Sequence, residues 1–339
     1  MSSSKKVEVS VVVPFHNSRQ TIRDCFDSLL NQTYPKNLFE IIFVDDCSTD
    51  ESGEKLEINE ASKNGFNIKL IRLPRRSGPA AARNQGIKQS SGRIIAFTDA
   101  DCILDSKWLE NLVQSFKKKT GGVFGETKTL SEDALIWPLV LAPVTSSFKY
   151  TTCNIAYSKD VLSEIGFFDE RFREPFREDT DLALSAIEKG FQIDHNPKAV
   201  VYHPARIQSA SQILRTALRY QYDNLLYKKH PKSIHPETSR FLTPHIGPFS
   251  PIGLASILIL TMLTVGLFLN PTLSLTLFLG SIIFYLIFFI AYGYKTVSLT
   301  KSSIPFPLRL KCAIIIPFFT TLLLFSRVYG SIKFKKFLL

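Results

Sequence analysis

Apolar positions in the first hundred residues follow two alternating rhythms. Val7 to Val13 is a continuous run of strand length, whereas Thr21 to Gln32 sets Ile22, Cys25, Phe26, Leu29 and Leu30 on one helical face. The alternation continues. Ile41 to Val44 predicts a strand ending in Asp45-Asp46, Asp50 to Asn64 a helix closed by Gly65, and Ile68 to Arg72 a strand. Pro79 to Gln89 then predicts a helix, and Ile94 to Thr98 a strand ending in Asp99-Ala100-Asp101. Strands alternating with helices imply an α/β domain with a mostly parallel sheet flanked by helices and a ligand crevice outside the carboxyl ends of the strands. Both acidic clusters fall at such ends.

Past Lys107 the pattern loosens. Strands are expected at Val123 to Thr127 and Thr152 to Tyr157, a helix from Lys159, and a second helix near Thr180, just after Arg177-Glu178-Asp179, that ends at Gly190. Residues 1–205 make the expected catalytic domain. From Ile207 to about Lys228, Ile213, Leu214, Leu218, Tyr222 and Leu225 share one face with Arg215 and Arg219 nearby, as in an amphipathic helix at a membrane surface. Residues 206–248 are read as this helix and a Pro- and His-rich linker in which His230, His235 and His245 are solvated. Residues 249–339 are read as a membrane domain. Its uncharged stretches 252–269 and 272–294 approach the roughly 20 apolar residues that cross a bilayer, and Asn270-Pro271 turns between them. A third apolar run, 312–325, is shorter and holds Pro317; it spans, re-enters or lies in the interface.

Charge changes the picture once it is located. The 339 residues carry 41 Lys+Arg against 30 Asp+Glu, a net charge of +11 that would ordinarily suggest nucleic acid. No acidic residue occurs from Phe249 onward, where Lys295, Lys301, Arg309, Lys311, Arg327, Lys333, Lys335 and Lys336 account for eight of the eleven excess charges. The excess therefore flanks apolar segments, and no nucleic-acid partner is expected. Basic residues follow the second span while the Asn270-Pro271 turn has none, which orients the N-terminal domain toward the cytosol. Met1 to Lys6 is polar, so no signal segment is expected. Five cysteines without C-x-x-C pairing suit a reducing compartment better than a disulfide framework or a zinc site.

The candidate chemistry lies at the strand ends. Two carboxylates one residue apart, Asp99 and Asp101, offer hard oxygen ligands to Mg²⁺ or Mn²⁺, which in turn neutralises a diphosphate. Asp45 and Asp46 line the same crevice, and two acidic pairs facing each other call for a bound cation or a nucleotide with donors. His203, in Val201-Tyr-His-Pro204, is a third ligand or a structural histidine. Arg75 and Arg76 approach phosphates or lie in solvent, and Arg83 braces an acidic strand end. Gly78 to Gly86 has neither P-loop nor G-x-G-x-x-G spacing.

Five segments in order, Val9-Ser-Val-Val-Val-Pro-Phe-His-Asn17, Val44-Asp-Asp-Cys-Ser-Thr-Asp50, Gly78-Pro-Ala-Ala-Ala-Arg-Asn-Gln-Gly86, Phe97-Thr-Asp-Ala-Asp101 and Glu178-Asp-Thr-Asp-Leu182, resemble the motifs of family 2 glycosyltransferases over about residues 7–205. The resemblance implies the GT-A nucleotide-diphosphosugar transferase fold, with a mixed, mostly parallel sheet, and metal-dependent inverting transfer from a nucleotide-diphosphate sugar. It implies that Pro14, His16, Asp45 and Asp46 contact the nucleoside, with Arg83 also on the donor side. Asp99 would meet the ribose or metal, Asp101 the metal, and Asp179 would be the general base. By spacing alone Glu178 and Asp181 compete with Asp179, and a plain helix cap is the other reading of Asp179. Processive synthases of this kind carry Q-x-x-R-W; here Gln212-Ile-Leu-Arg215 is followed by Thr216, which favours single transfer. The expected acceptor is a lipid-linked or surface glycan at the cytosolic face of a membrane. The rival readings are a noncatalytic adaptor that keeps the fold and a sugar nucleotidyltransferase.

Overall fold

The computed structural model describes residues 7–117, 119–129, 150–204, 210–233, 322 and 325–335. The chain divides into two compact units, Met1–Glu132 with Pro143–Ala205, and Asp133–Ala142 with Arg206–Leu339.

In the first unit, β1 (Val9–Phe15), β2 (Phe39–Asp45), β3 (Asn67–Arg72) and β4 (Ile94–Phe97) form a parallel ladder in which β1 lies between β2 and β4. Both faces of this ladder are buried, which is why its central strands read as unbroken apolar runs. On one face Val9, Val11, Val13 and Phe15 pack with Ile22, Cys25, Phe26 and Leu29 of α1 (Ile22–Leu30). On the other, Val12, Ile42 and Val44 pack with Ala80, Ala82 and Ile87 of α3 (Pro79–Lys88). α3 lies so close that a Cβ at Gly86 would sit 2.4 Å from Val12 Cγ1.

The other strands are β5 (Ile103–Leu104), β6 (Thr120–Thr129), β7 (Ile155–Ser158) and β8 (Gln192–His203), completing a sheet of order β3-β2-β1-β4-β7-β6-β8-β5. β7 runs antiparallel to both β4 and β6, β5 is antiparallel to β8, and β6 is parallel to β8, so the sheet is mixed. Asn154 ties the turn before β7 to its neighbours: Nδ2 donates to Glu126 O and Ala199 O, and Oδ1 accepts from Trp108 Nε1 of α4 (Trp108–Gln114). α5 (Lys159–Ile165) and α6 (Glu178–Glu188) follow β7.

Two predicted helices change. In place of a helix over 50–64, only α2 (Ile58–Lys63) forms, after a short 3-10 turn at Ser52–Lys55. The Asp50 carboxylate accepts from the Ser52 hydroxyl and amide and from the Arg19 amide, and Ser52 Oγ accepts from the Ser18 amide. These side chains tie residues 50–52 to the end of β1 and compete with helical bonding. The helix expected over 207–228 is two helices in the second unit, α7 (Ala210–Arg219) and α8 (Gln221–Lys229), separated at Tyr220.

α8 packs against a helical segment at 325–334, α9, in that second unit. Gly330 permits the approach, since a Cβ there would meet Gln221 O at 2.5 Å. Buried polar pairs fix the register: Arg327 NH2 donates to Asp223 Oδ2 at 3.0 Å and Asn224 Nδ2 to Ser331 Oγ at 2.8 Å. His230, expected in solvent, is buried at the end of α8. The opposite face of α9 is open, with Phe325 and Tyr329 each 56% and Ile332 71% exposed. Among the described residues no helix is long and apolar enough to cross a membrane. The stretches 252–269 and 272–294, and 312–325 apart from residues 322 and 325, lie outside the described residues, as do His235, His245 and Cys312.

Candidate active site

The chain runs outward from β1 through β2 to β3, then returns to place β4 on the other side of β1. That reversal opens a crevice at the carboxyl ends of β1 and β4. β4 pairs with β1 only as far as Val12, opposite Phe97. Pro14, which has no N–H to give, therefore lies beyond that ladder, where a proline costs no bond on the β4 side. His16 follows at the crevice with Nδ1 2.8 Å from Asp46 O.

The acidic pair at the end of β2 is compensated by the protein itself. Asp45 is fully buried; its Oδ1 accepts from the Ser48 amide at 2.7 Å and its Oδ2 from Arg72 Nε at 3.0 Å. Asp46 Oδ1 and Oδ2 accept from the Ser77 and Gly78 amides at 2.6 and 2.9 Å. The protein's own donors offset this pair, so its charge does not by itself call for either the cation or the nucleotide expected from the sequence. Arg75 and Arg76 are exposed on the loop that Asp46 anchors.

α3 connects this anchor to both remaining acidic clusters. Arg83, 3% exposed, donates from NH1 to Glu178 Oε1 and from NH2 to Asp99 Oδ1, each at 2.9 Å. Its guanidinium also lies 5.7 Å from the centre of the Phe168 ring. Burial disfavours its charge, but Asp99 and Glu178 more than offset this and hold its pKa above the ordinary arginine value. Next to it, Asn84 Nδ2 donates to Phe168 O, and its Oδ1 accepts from the Phe168 amide. Gly78, at φ +93°, leaves room for Arg173 O, which would lie 2.5 Å from a Cβ. The loop entering α6 is thus fastened to α3 at three points.

That loop sets the start of α6 two residues earlier than expected, at Glu178, with Arg177 as N-cap in a left-handed conformation at φ +76°. Asp179 therefore is not the helix cap. It lies half-buried in the first turn, where Oδ1 accepts from the Thr180 amide at 2.6 Å and hydroxyl at 3.1 Å. Burial raises its pKa against the lowering by Thr180 and by Arg83. Glu178 is 3% exposed; burial and the Asp179 charge push its pKa up to about 7, against the pull of Arg83. Its Oε2 is buried without a hydrogen-bond partner. Asp181, also buried, faces the interior.

The two carboxylates of Asp99-Ala100-Asp101 diverge. Asp99 turns to Arg83, whereas Asp101 turns to His203, with Oδ2 3.7 Å from Nε2. The two-residue strand β5 makes this meeting, because Ile103 pairs with Tyr202 and so lays residues 101–102 beside the end of β8. His203 Nδ1 lies 2.9 Å from Pro204 O; an N–H there donates to that carbonyl and leaves the Nε2 lone pair facing the Asp101 carboxylate, two electron donors that a cation between them would share. Sequence reasoning missed Cys102, whose Sγ lies 3.8 Å from Asp101 Oδ1 and belongs with Asp101 and His203 to one group of donors within 4.8 Å of one another. Burial, then Cys153 and the two aspartates, raise this thiol well above its ordinary range. A carboxylate oxygen and an oriented imidazole suit a divalent cation with mixed N/O preference, such as Mn²⁺, better than the all-oxygen shell of Mg²⁺.

Comparison with known proteins gives the same family that the motifs resemble. The family model described as glycosyl transferase family 2 matches residues 10–179. Glycosyltransferase AglE of Haloferax volcanii is 29% identical over 208 residues, 58% of this chain and 67% of that protein. The poly(ribitol-phosphate) beta-glucosyltransferase of Bacillus spizizenii is 43% identical over 104 residues, 30% of this chain but only 16% of its own length. In fold, the chain is similar to Staphylococcus aureus TarS 1-349 in complex with UDP-GlcNAc (TM-score 0.54, 18% identity, 97% of this chain and 93% of that one). It is similar also to the mannosyltransferase PcManGT from Pyrobaculum calidifontis in complex with GDP-Man and Mn2+ (TM-score 0.56, 14% identity, 97% and 89%).

Proposed function

The chain belongs to glycosyl transferase family 2, and from that premise we propose that it moves a single sugar from a nucleotide-diphosphate sugar to a lipid-linked or surface-glycan acceptor, with inversion. The observation that carries this reading is the chain of contacts from Asp99 through Arg83 to Glu178, which holds Asp179 and the Asp101–His203 pair in one catalytic unit. UDP-GlcNAc in one fold neighbour and GDP-Man in the other support the donor class.

Inversion needs one in-line displacement. The acceptor oxygen bonds to the anomeric carbon as the bond to the diphosphate breaks, and the acceptor proton passes to a carboxylate on the attacking side. Asp179 fills that role: Thr180 occupies Oδ1, leaving Oδ2 to take the proton. Its raised pKa moves it toward the working pH, which improves a general base. Asp101 and His203 would hold Mn²⁺ or Mg²⁺, which supplies charge against the departing diphosphate, while Asp99 is held by Arg83. Arg83 acts through its two carboxylates, since it is buried and both terminal nitrogens are engaged. Pro14, His16, Asp45 and Asp46 form the nucleoside end, with the two aspartates setting the loop geometry.

The membrane is the second part of the proposal. Phe325, Val328, Tyr329 and Ile332 form an exposed apolar stripe on α9, beside Lys333 and Lys335, in the part of the chain from Phe249 onward that lacks acidic residues. Apolar area flanked by lysines suits an anionic lipid surface. Together with the uncharged stretches 252–269 and 272–294 and the basic residues that follow them, this face motivates the proposal of an integral membrane protein with a cytosolic catalytic unit.

Calorimetric titration of UDP-, GDP- and dTDP-sugars in Mn²⁺ tests the site. One donor is expected to bind, with affinity lost on chelation and in Asp101→Asn. Binding that is indifferent to both would overturn the assignment.

A further inference from the structure

Cys102 has no part in the reading above, yet its sulfur lies at the edge of the core in one donor group with Asp101 and His203. We propose that Cys102 is a sulfur ligand of the cation held by Asp101 and His203, and that it biases this centre toward borderline cations such as Co²⁺ and Zn²⁺ and away from Mg²⁺. The inference rests on the cation site of the proposed function and goes beyond it in assigning a third ligand and a metal preference.

Distances support it first. A tetrahedral centre with bonds of about 2.0–2.3 Å to N, O and S separates neighbouring donors by about 3.3–3.8 Å. Asp101 Oδ2 lies 3.7 Å from His203 Nε2, and the other oxygen of the same carboxylate, Oδ1, lies 3.8 Å from Cys102 Sγ, so Asp101 reaches toward both other donors. All three residues offer atoms within 4.8 Å of one another. Three protein ligands leave a fourth position for a water or a diphosphate oxygen, the pattern of catalytic rather than closed structural centres.

The surroundings support it second. His203 Nδ1 is engaged with Pro204 O, so the ring presents Nε2 to the centre. Cys102 is fully buried and sits between Asp101 and a strand end that β5 pairs to β8, so the backbone fixes where the sulfur lies. Cys153, the neighbouring thiol, lies 3.3 Å from Thr151 Oγ1 and 3.8 Å from Thr127 Oγ1 and is not in the donor group. Softer sulfur suits Zn²⁺ and Co²⁺, whereas Mg²⁺ keeps to oxygen and retains its waters. On coordination the Sγ–metal bond forms and the thiol proton leaves to the buffer, with no change of oxidation state.

The test is Co²⁺ titration of the metal-free full-length protein, without nucleotide, read by absorbance. Wild type is expected to give a sulfur-to-cobalt charge-transfer band in the near ultraviolet. Cys102→Ser should lose that band, and Cys153→Ser should keep it. If Cys102→Ser fails to fold, the wild-type and Cys153→Ser spectra still decide. Absence of the band in wild type, or its loss in Cys153→Ser with retention in Cys102→Ser, overturns the inference. A wild type that releases nucleoside diphosphate with Mn²⁺ but shows no band overturns this inference alone. A wild type with the band but no turnover on any donor overturns the functional reading and leaves the ligand assignment standing.

Discussion

Asp179, Glu178 and Arg83 divide the work of one carboxylate pair. Asp179→Asn removes the proton acceptor but keeps the Oδ1 acceptor for Thr180. It should lower kcat by roughly 10²–10⁴-fold with donor affinity unchanged, as steady-state kinetics and calorimetry would show. Glu178 gives a pH signature. Its folded pKa of about 7 lies above its ordinary value of 4.5, so the folded state favours its protonated form. Its contribution to stability is then full below the ordinary value and is lost as pH rises through the folded one. Urea unfolding between about pH 5 and about pH 8 should show wild type losing stability relative to Glu178→Gln, which keeps an acceptor for Arg83 without the charge. A parallel pH profile would contradict the assignment. Arg83→Met strands the buried carboxylate of Glu178 and removes the partner of the half-buried Asp99, and should cost about 3–5 kcal/mol in chemical denaturation. The acidic residues were legible in the sequence because each follows an apolar run or opens a helix. Their partners were not, because Arg83 and Glu178 lie 95 residues apart and only the packing of α3 under the α6 loop joins them.

At the scale of elements, α3 is the brace of the site, and its closeness to β1 depends on a missing side chain. Gly86→Val would drive a branched side chain into Val12 and should cost about 1–3 kcal/mol. Because Arg83 and Asn84 share that helix, the same shift should also lower kcat/KM. Thermal melts and kinetics on one preparation check both effects, and normal kcat/KM in a destabilised variant would separate α3 from the site. The parallel half of the sheet could be read from sequence, since strands buried on both faces carry an unbroken apolar run. β5 and β8 could not. β5 has two residues, and β8 mixes exposed, half-buried and buried positions along Gln192–His203 and contains Pro197, so neither carries a clear apolar rhythm. His203 was legible as a third-ligand candidate and it does meet Asp101, but the presence of Cys102 in the same group was hidden, because only the pairing of β5 with β8 brings residue 102 there.

For the whole molecule, the strand reversal between β1 and β4 opens the crevice in which the proposed donor site lies, and the second unit carries an exposed apolar and basic face on α9. That face predicts stronger binding to anionic than to neutral vesicles, with the difference reduced by salt; flotation of the full chain measures it, and equal binding to both would contradict the α9 assignment. The central claim concerns the reaction, and its most direct measurement is the product released from a panel of nucleotide-sugars by the full chain in membranes with Mn²⁺. The account predicts that one donor yields nucleoside diphosphate, that chelation stops the release, and that Asp179→Asn abolishes it. Release of pyrophosphate, release that survives Asp179→Asn, or no release from any donor would contradict it.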